Sequence, residues 1–381
     1  MTRGVGARAA AVGADWVEGP LKGNHHYSFA VRLDRGSPLA GDVTWLKLRE
    51  PRPGVFWYDM RFFPSEDLLL QRLQGRLPHV PRVMRHRVAG DTLTFAEFIE
   101  GVTLDRLPAA AERVPERVLG QLEELFAALA AIDPEPLLAE GRSSCDCADG
   151  AGGAGGVGGA EDAGGAGDRA SVGFLRELLH FAVGHIYLPH RPRLGGLFED
   201  LGVSDETVTG LPHRVPPLTP RAPRLLHGDL HRKNLVVDRR GALWAIDWEL
   251  ALIGDPLYDL ATHLHLMDYR ADQEGDVIRR WRRAVGADAA RGLEADLPHY
   301  RAFKRVQSVC TDVIRGAARL AEHPDGAPLR RVAAVVHRAL VAAREPLGME
   351  KVPPVVAVEA AFEAWLASHR SEILNDSRHE I

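Results

Sequence analysis

Two short blocks decide how this sequence folds: Leu226-His-Gly-Asp229-Leu-His-Arg-Lys-Asn234 and Ile246-Asp247-Trp-Glu249. Phosphoryl transfer from a nucleotide requires a carboxylate that accepts the proton of the attacking hydroxyl. It also requires hard oxygen ligands for the magnesium ion that bridges the phosphates. We therefore expect Asp229 to be the catalytic base, and Asn234 and Asp247 to be the magnesium ligands. Each residue alone could instead be a turn, cap or strand-end residue, but their joint spacing favours a kinase-like site.

The chain between the two blocks predicts a hairpin. Residues 235–238 and 243–246 are short apolar runs, and Arg239-Arg-Gly241 separates them. Such runs on either side of a glycine-containing turn are typical of two antiparallel strands. The hairpin would bring Asn234 and Asp247 side by side.

A third block, Gly254-Asp255-Pro-Leu-Tyr-Asp259-Leu-Ala261, completes a resemblance to the aminoglycoside phosphotransferase and choline kinase superfamily. The resemblance is dense from about residue 225 to residue 265. Protein kinases are more distant, because they carry Arg where Gly228 stands. The resemblance implies that His227 braces the catalytic loop and that Asp255 holds this loop from below. Asp259 and His263 are expected only to form the polar edge of the next helix.

The resemblance also implies the fold and its boundaries. We expect an α+β, two-lobed, protein-kinase-like fold. A small antiparallel-sheet N-lobe would span residues 1–99 and bind the nucleotide phosphates. A larger helical C-lobe would span residues 100–381 and carry the catalytic loop and the acceptor site. ATP is the implied nucleotide and Mg²⁺ the implied metal.

Lysine is rare here, since only five of the 47 basic residues are lysine. A lysine in such an arginine-rich chain is more readily explained by a need for a compact charge. Lys47 lies where the superfamily places its nucleotide-phosphate lysine. Glu66 either pairs with Lys47, as the family's helix glutamate does, or complements the dipole of the helix that Ser65 caps. Lys233, which precedes the expected magnesium ligand Asn234, either contacts the γ-phosphate or faces solvent.

The N-terminal part is rich in strands. Residues 26–34, 43–48 and 92–99 have strand composition. By resemblance, residues 19–24 form the phosphate-covering segment, although it has few glycines. Adenine would pair with backbone groups from Glu97 to Ile99. Glu249 replaces the glycine of the protein-kinase motif, which indicates a fixed magnesium loop.

Helices are expected after residue 99, with one interruption. The helix predicted over 114–132 carries an apolar face with a 3.6-residue period. Residues 148–168 are almost wholly Gly, Ala, Asp and Glu, which predicts a disordered insert. Further helices are expected over residues 171–183, 280–285, 300–319, 329–344 and 355–373.

Bulk properties narrow the function. The chain has 381 residues, a net charge of −5 and 45% hydrophobic residues. The negative charge gives no reason to expect nucleic-acid binding, and no apolar run approaches the length of a membrane span. An odd number of cysteines, three, argues against a disulfide framework. We expect a cytoplasmic protein.

These observations predict an ATP-dependent phosphotransferase that acts on a hydroxyl group of a small molecule, such as an aminoglycoside-like antibiotic or another metabolite. Between residues 247 and 259 there is no Ser or Thr, so a phosphorylated activation loop has no place there. One alternative is a peptide Ser/Thr kinase of a lanthipeptide-type pathway, because residues 47–58 are similar to phosphotransferase-like proteins of peptide pathways. A second alternative is a nucleotide-binding pseudokinase, which the presence of all four key residues disfavours.

Overall fold

The computed structural model describes residues 3–21, 25–37, 39, 43–88, 91–110, 112–141, 171–322 and 329–376. The chain divides into two compact units, one formed by residues 1–164 and 221–291 and the other by residues 165–220 and 292–381. All predicted site residues fall within the first unit. The insert predicted over residues 148–168 and residues 22–24 of the phosphate-covering segment lie outside the described residues. The lobe boundary after residue 99 stays a prediction.

The first unit begins with a helix and a five-stranded antiparallel sheet. Its elements are α1 (Arg3–Ala11), β1 (Ala14–Leu21), β2 (His26–Leu33), β3 (Trp45–Pro51), α2 (Glu66–Leu73), β4 (Val83–Val88) and β5 (Asp91–Glu97). The strand order is β1-β2-β3-β5-β4, and β2 pairs with β3 so that Ala30 lies opposite Lys47. The three predicted strands and the Ser65 cap of α2 are confirmed.

Alternation along the strands explains the core of this sheet. Successive side chains of a strand point to opposite faces, so Leu46 and Leu48 are fully buried while Lys47 between them is not. Helix α1 and the residue after it cover this face, because Val5 and Val12 are buried in the same core. No pattern in the sequence predicted α1. Its glycines at positions 4 and 6 lower helix propensity, and its apolar face becomes evident only against the sheet.

The rest of the first unit surrounds the predicted catalytic loop. Its elements are β6 (Gly101–Thr103), α3 (Glu116–Ala131), α4 (Glu135–Gly141), β7 (Arg224–Leu226), β8 (Leu235–Asp238), β9 (Leu243–Ala245), β10 (Leu252–Gly254), α8 (Pro256–Met267) and α9 (Ala271–Ala289). The predicted hairpin is confirmed as β8 and β9, which pair antiparallel. Strand β6 adds to β8, and β10 pairs with β7. Helix α9 is longer than the segment 280–285 that periodicity predicted.

Helix α3 follows the prediction closely. All six of its predicted inward residues are buried, namely Val118, Leu119, Leu122, Leu125, Phe126 and Leu129. An apolar stripe with a 3.6-residue period therefore located the buried face of this helix correctly.

The second unit is helical. It contains α5 (Ser171–Phe181), a π-helical turn (Ala182–Tyr187), α6 (Leu188–Asp200), α7 (Asp205–Thr209), α10 (Leu293–Glu322), α11 (Leu329–Ala343) and α12 (Val355–Asp376). The four helices predicted in this unit are confirmed, with α10 extending further at both ends. Among the described helices, none combines the length and apolar character that a membrane crossing demands.

Candidate active site

The predicted catalytic base lies within a network of hydrogen bonds inside its own loop. The Asn234 amide donates to a carboxylate oxygen of Asp229 at 2.9 Å and to the Asp229 carbonyl at 3.0 Å. His231 Nε2 lies 3.4 Å from the same carboxylate. The Lys233 backbone N–H donates to His231 Nδ1 at 3.0 Å, so Nε2 carries the hydrogen that points at Asp229. The predicted base and the predicted magnesium asparagine are thus neighbours.

The charge state of Asp229 reflects its surroundings. Burial raises the pKa of its carboxyl, and His231 opposes this rise. The nearby carboxylates of Asp59 and Asp247 raise the pKa further, because like charges disfavour ionisation. A raised pKa increases the proton affinity of the carboxylate, which suits a general base.

A glycine is required at position 228. Its φ is +78°, and a Cβ there would lie 2.3 Å from the Leu250 carbonyl oxygen. Both the backbone conformation and the close approach exclude a side chain. This explains why the arginine of protein kinases cannot stand here without rearrangement of the loop.

Asp259 and His263 hold the catalytic loop. The Asp259 carboxylate accepts hydrogen bonds from the backbone N–H groups of His227 at 3.2 Å and Gly228 at 2.8 Å. His263 Nδ1 donates to the Leu230 carbonyl at 2.8 Å, and its Nε2 accepts from the Tyr269 hydroxyl at 2.9 Å. Both residues are fully or almost fully buried. Their interpretation as a polar helix edge is therefore wrong.

Asp255 lies at the start of α8. It caps α8 by accepting from the Leu257 N–H at 2.9 Å, and it forms a buried ion pair with Arg221 at 2.7 Å. The predicted brace His227 is buried, and its Nε2 lies 3.2 Å from the Ile246 carbonyl. Burial lowers the pKa of His227 to about 4, so this histidine is neutral at physiological pH. It links the catalytic loop to the strand that leads into Asp247.

The hairpin carries Asp247 to the same site. The Ile246 N–H donates to the Asn234 carbonyl at 2.9 Å, which fixes the two predicted metal ligands beside each other. Asp247 has φ 68° and ψ 65°, a left-handed conformation that residues other than glycine rarely adopt. Lys47 Nζ lies 3.6 Å from its carboxylate. Backbone strain of this kind is concentrated at functional sites.

Of the two interpretations of Glu66 that the sequence left open, the pair with Lys47 is wrong. Glu66 is buried, and its carboxylate forms an ion pair with Arg49, two residues after Lys47 on β3. Its other oxygen accepts the Trp248 N–H at 3.1 Å. Residues i and i+2 share one face of a strand, so Arg49 reaches α2 from the same side and engages Asp67 as well. Glu66 therefore joins α2 to the residue after Asp247.

Glu249 also connects two segments, which the sequence did not reveal. His25 Nδ1 lies 2.6 Å and His26 Nδ1 3.1 Å from its carboxylate oxygens. Burial alone would raise the pKa of Glu249, but the hydrogen bonds from the two histidines outweigh it and lower the pKa. An ionised glutamate thus ties the start of β2 to the loop that carries Asp247. This agrees with the expectation of a fixed magnesium loop.

The remaining predicted residues lie at the edges of the site. The Glu97 carboxylate pairs with Arg82 at 3.0 Å and the Glu97 N–H donates to the Arg82 carbonyl at 2.7 Å, so neither group is available for a nucleotide. The Phe98 N–H donates to the Trp45 carbonyl at 3.0 Å. A backbone contact of Ile99 with adenine stays a prediction. Lys233 is exposed, and a γ-phosphate contact stays a prediction.

The donor set fits a magnesium ion. Asp247 offers a partly exposed carboxylate, and Asn234 retains its amide oxygen because its N–H groups are directed to Asp229. Among the described residues, no group of three or more His, Cys, Asp or Glu side chains is arranged to hold a metal. Magnesium is commonly bound by one or two protein ligands together with nucleotide phosphates, rather than by an all-protein cage.

Comparison with known families gives one sequence match. The model of the family described as "Phosphotransferase enzyme family" (APH) matches residues 18–303, three quarters of the chain. This range includes all eight predicted site residues. No curated protein sequence matches the chain.

Solved structures with a similar fold include a thermostable mutant of the aminoglycoside phosphotransferase APH(4)-Ia in complex with ADP and hygromycin B. It is 15% identical, with a TM-score of 0.51, covering 93% of this chain and 100% of its own. A macrolide 2'-phosphotransferase from Brachybacterium faecium is 16% identical, with a TM-score of 0.49, covering 90% and 98%. A choline/ethanolamine kinase family protein from Mesorhizobium loti is 15% identical, with a TM-score of 0.46, covering 94% and 98%. The APH(4)-Ia structure confirms the predicted kinase-like fold.

Proposed function

The chain belongs to the phosphotransferase enzyme family, and we propose that it moves the γ-phosphoryl group of ATP to a hydroxyl group of a small-molecule acceptor. One observation carries this proposal: Asp229, Asn234 and Asp247 converge through the Asn234 hydrogen bonds and the Ile246–Asn234 backbone bond. Lys47 meets the same site from β3. These are the groups that phosphoryl transfer to an alcohol needs.

The reaction uses Asp229 as its base. The acceptor oxygen attacks the γ-phosphorus and forms a new O–P bond, while the bond from that phosphorus to the β–γ bridging oxygen breaks. The proton of the acceptor hydroxyl passes to the Asp229 carboxylate, and ADP leaves with the electron pair of the broken bond. His231 and Asn234 keep the carboxylate oriented during this transfer.

The nucleotide is held by charges and by backbone groups. Lys47 would contact its phosphates, and the backbone of residues 97–99 would pair with adenine. Asn234 and Asp247 would hold Mg²⁺, which neutralises phosphate charge when bound. Glu66 keeps Asp247 in place through Trp248. Positioning and charge neutralisation, rather than covalent chemistry by the protein, would account for most of the acceleration.

We infer a hydroxylated small molecule as acceptor, such as an aminoglycoside-like antibiotic or another metabolite. The family supports this class, and a neighbour with the same fold is bound to ADP and hygromycin B. The structure favours no particular member of the class. A peptide acceptor is an outcome of the experiment below.

The test is phosphoryl transfer from γ-labelled ATP. Purified protein with Mg²⁺ is incubated with aminoglycosides, aminocyclitols, choline, macrolides and Ser/Thr-containing peptides, and products are identified by mass. We expect a mass gain of one phosphoryl group on a small-molecule hydroxyl, absent with Asp229→Asn. If only a peptide became labelled, the acceptor would be a peptide and not a small molecule. Failure of the parent protein to bind Mg-ATP would refute the proposal.

A further inference from the structure

The connection between β3 and α2, residues 52–65, packs an aromatic ring against the active site. Trp57 stacks on His25 with ring centroids 3.8 Å apart and planes within 14°. The ring of His26 meets Trp57 edge-on at 6.4 Å. Since both histidines are bound to Glu249, Trp57 lies where the two residues after the phosphate-covering segment meet the loop of Asp247.

Arg61 rests on this ring. Its guanidinium carbon lies 4.3 Å from the centre of the Trp57 ring, which is within the range of a cation–π contact. Its Nε is buried and has no hydrogen-bond partner among the described residues. Buried polar groups that lack a partner are rare and costly in native proteins. This N–H therefore requires an acceptor that the described residues do not supply.

The charges around Arg61 favour the binding of an anion. Burial lowers the pKa of Arg61, Glu249 opposes this effect, and Arg49 adds to it. Glu249 is already engaged by His25 and His26, so it compensates Arg61 only in part. A half-buried guanidinium with an unsatisfied donor and a second arginine nearby is a poorly neutralised site. An incoming group with a negative charge would complete it.

The reaction supplies such a group at this place. By the resemblance, residues 19–24 cover the nucleotide phosphates, which would then lie between His25, the residue after this segment, and the loop that carries Asp247 and Glu249. The Trp57–Arg61 stack is located where those two segments touch. We propose that Arg61, held on Trp57, donates its N–H groups to the terminal phosphate of the bound nucleotide. This inference rests on the proposed function and adds to it a contact that discriminates triphosphate from diphosphate.

Arginine suits this task better than lysine. Its planar guanidinium presents several donors in a fork that matches phosphate oxygens. Stacking on Trp57 orders the guanidinium before the nucleotide arrives, so less conformational entropy is lost on binding. During transfer the negative charge spreads over the equatorial oxygens of the phosphoryl group, and a preorganised cation stabilises that charge.

The test compares nucleotide affinities in variants of this connection. Arg61→Gln removes the cation, and Arg61→Lys keeps the charge but not the fork. Arg52→Gln is the matched control, because Arg52 belongs to the same connection and lies over an aromatic ring, Tyr27 at 5.2 Å, but is exposed. Calorimetry in the presence of Mg²⁺ measures the affinity for ADP and for the non-hydrolysable triphosphate AMP-PNP.

We expect Arg61→Gln to weaken AMP-PNP binding by about tenfold or more, as for a lost charge-assisted hydrogen bond. ADP affinity should change less than about twofold, and Arg52→Gln should match the parent for both nucleotides. Arg61→Lys should lie between the parent and Arg61→Gln. This variant serves as the test if Arg61→Gln does not fold.

Two results overturn the inference alone. In the first, Arg61→Gln and Arg61→Lys bind AMP-PNP as the parent does. In the second, they weaken ADP and AMP-PNP equally, which would show that Arg61 only supports the fold. If the parent binds neither nucleotide, the proposed function fails together with the inference, so the two failures are distinguishable.

Discussion

The catalytic loop and the charged residues of β3 and α2 are held at the site in different ways. The loop over residues 227–234 rests on buried side chains that hydrogen-bond its backbone, above all Asp259 and His263. The N-terminal side is held by ion pairs between side chains, in which Arg49 meets Glu66 and Lys47 meets Asp247. The first arrangement fixes the backbone of the loop, and the second fixes side chains, apart from the hydrogen bond of Glu66 to the Trp248 N–H.

This difference explains which residues a sequence can locate. The hydrogen bonds from the loop backbone to buried acceptors hold the loop in one conformation. The spacing of residues in the motif therefore predicts their relative positions in the folded protein. Ion-pair partners depend on which long side chain reaches a carboxylate from a neighbouring element. Lys47 and Arg49 stand on the same face of β3, and only the packing of α2 decides that Arg49 meets Glu66.

The largest effect is expected from the base. Asp229→Asn keeps the shape and the contact with His231 but removes the proton acceptor. Phosphoryl transfer should fall by at least ~10²-fold while Mg-ATP affinity persists. Steady-state rates with the identified acceptor and calorimetry on the same sample measure the two quantities. Turnover close to that of the parent would remove Asp229 from the mechanism.

The support of the loop should appear in stability. Asp259→Ala leaves the N–H groups of His227 and Gly228 buried without their acceptor, at a cost of about 2 kcal/mol of unfolding free energy. Denaturant unfolding monitors this loss. Asp272→Ala, which removes an exposed ion pair with Arg113, should leave stability close to that of the parent. If the Asp259→Ala variant were as stable as the parent, the conformation of the loop would not depend on Asp259.

The ion-pair side is tested by double-mutant cycles on unfolding. The cycle of Arg49→Ala and Glu66→Ala should give a coupling energy of about 1 kcal/mol or more. The remaining partner of Arg49, Asp67, limits this value. The cycle of Lys47→Ala with Glu66→Ala should give almost no coupling. If the Lys47/Glu66 cycle gave the larger coupling energy, Glu66 would pair with Lys47, as the resemblance implied.

The smallest effect concerns pH. Burial lowers the pKa of His263 to about 4, below its unfolded value near 6.5. Below pH 6.5 the unfolded chain therefore binds a proton that the folded chain does not, and this histidine destabilises the fold progressively down to about pH 4. His263→Gln removes the titration. From pH 7 to pH 5 the parent should lose somewhat more unfolding free energy than the variant, by on the order of 1 kcal/mol. Parallel pH profiles would contradict a neutral His263.

The sequence predicted most of the fold and the core of the site. Periodicity located α3 and its buried face, and the hairpin prediction placed Asn234 beside Asp247. The role of Asp259 was misassigned, because a carboxylate within a motif does not reveal which backbone it faces. The sequence did indicate that Asp259 is buried. Tyr258, Leu260 and Ala261 flank it, and a helix that is apolar on all sides is a buried helix. The contact of Glu249 with His25 had no signal, because it joins segments more than 200 positions apart.

The central claim is that two aspartates divide the work, Asp229 as base and Asp247 as metal ligand. Calorimetric titration of ATP with and without Mg²⁺ tests it most directly, using the parent, Asp229→Asn and Asp247→Ala. We predict that Mg²⁺ strengthens ATP binding in the parent and in Asp229→Asn, and that it gives no such gain in Asp247→Ala, since Asn234 alone cannot hold the ion. An Asp247→Ala variant that binds Mg-ATP with the affinity of the parent would contradict the account.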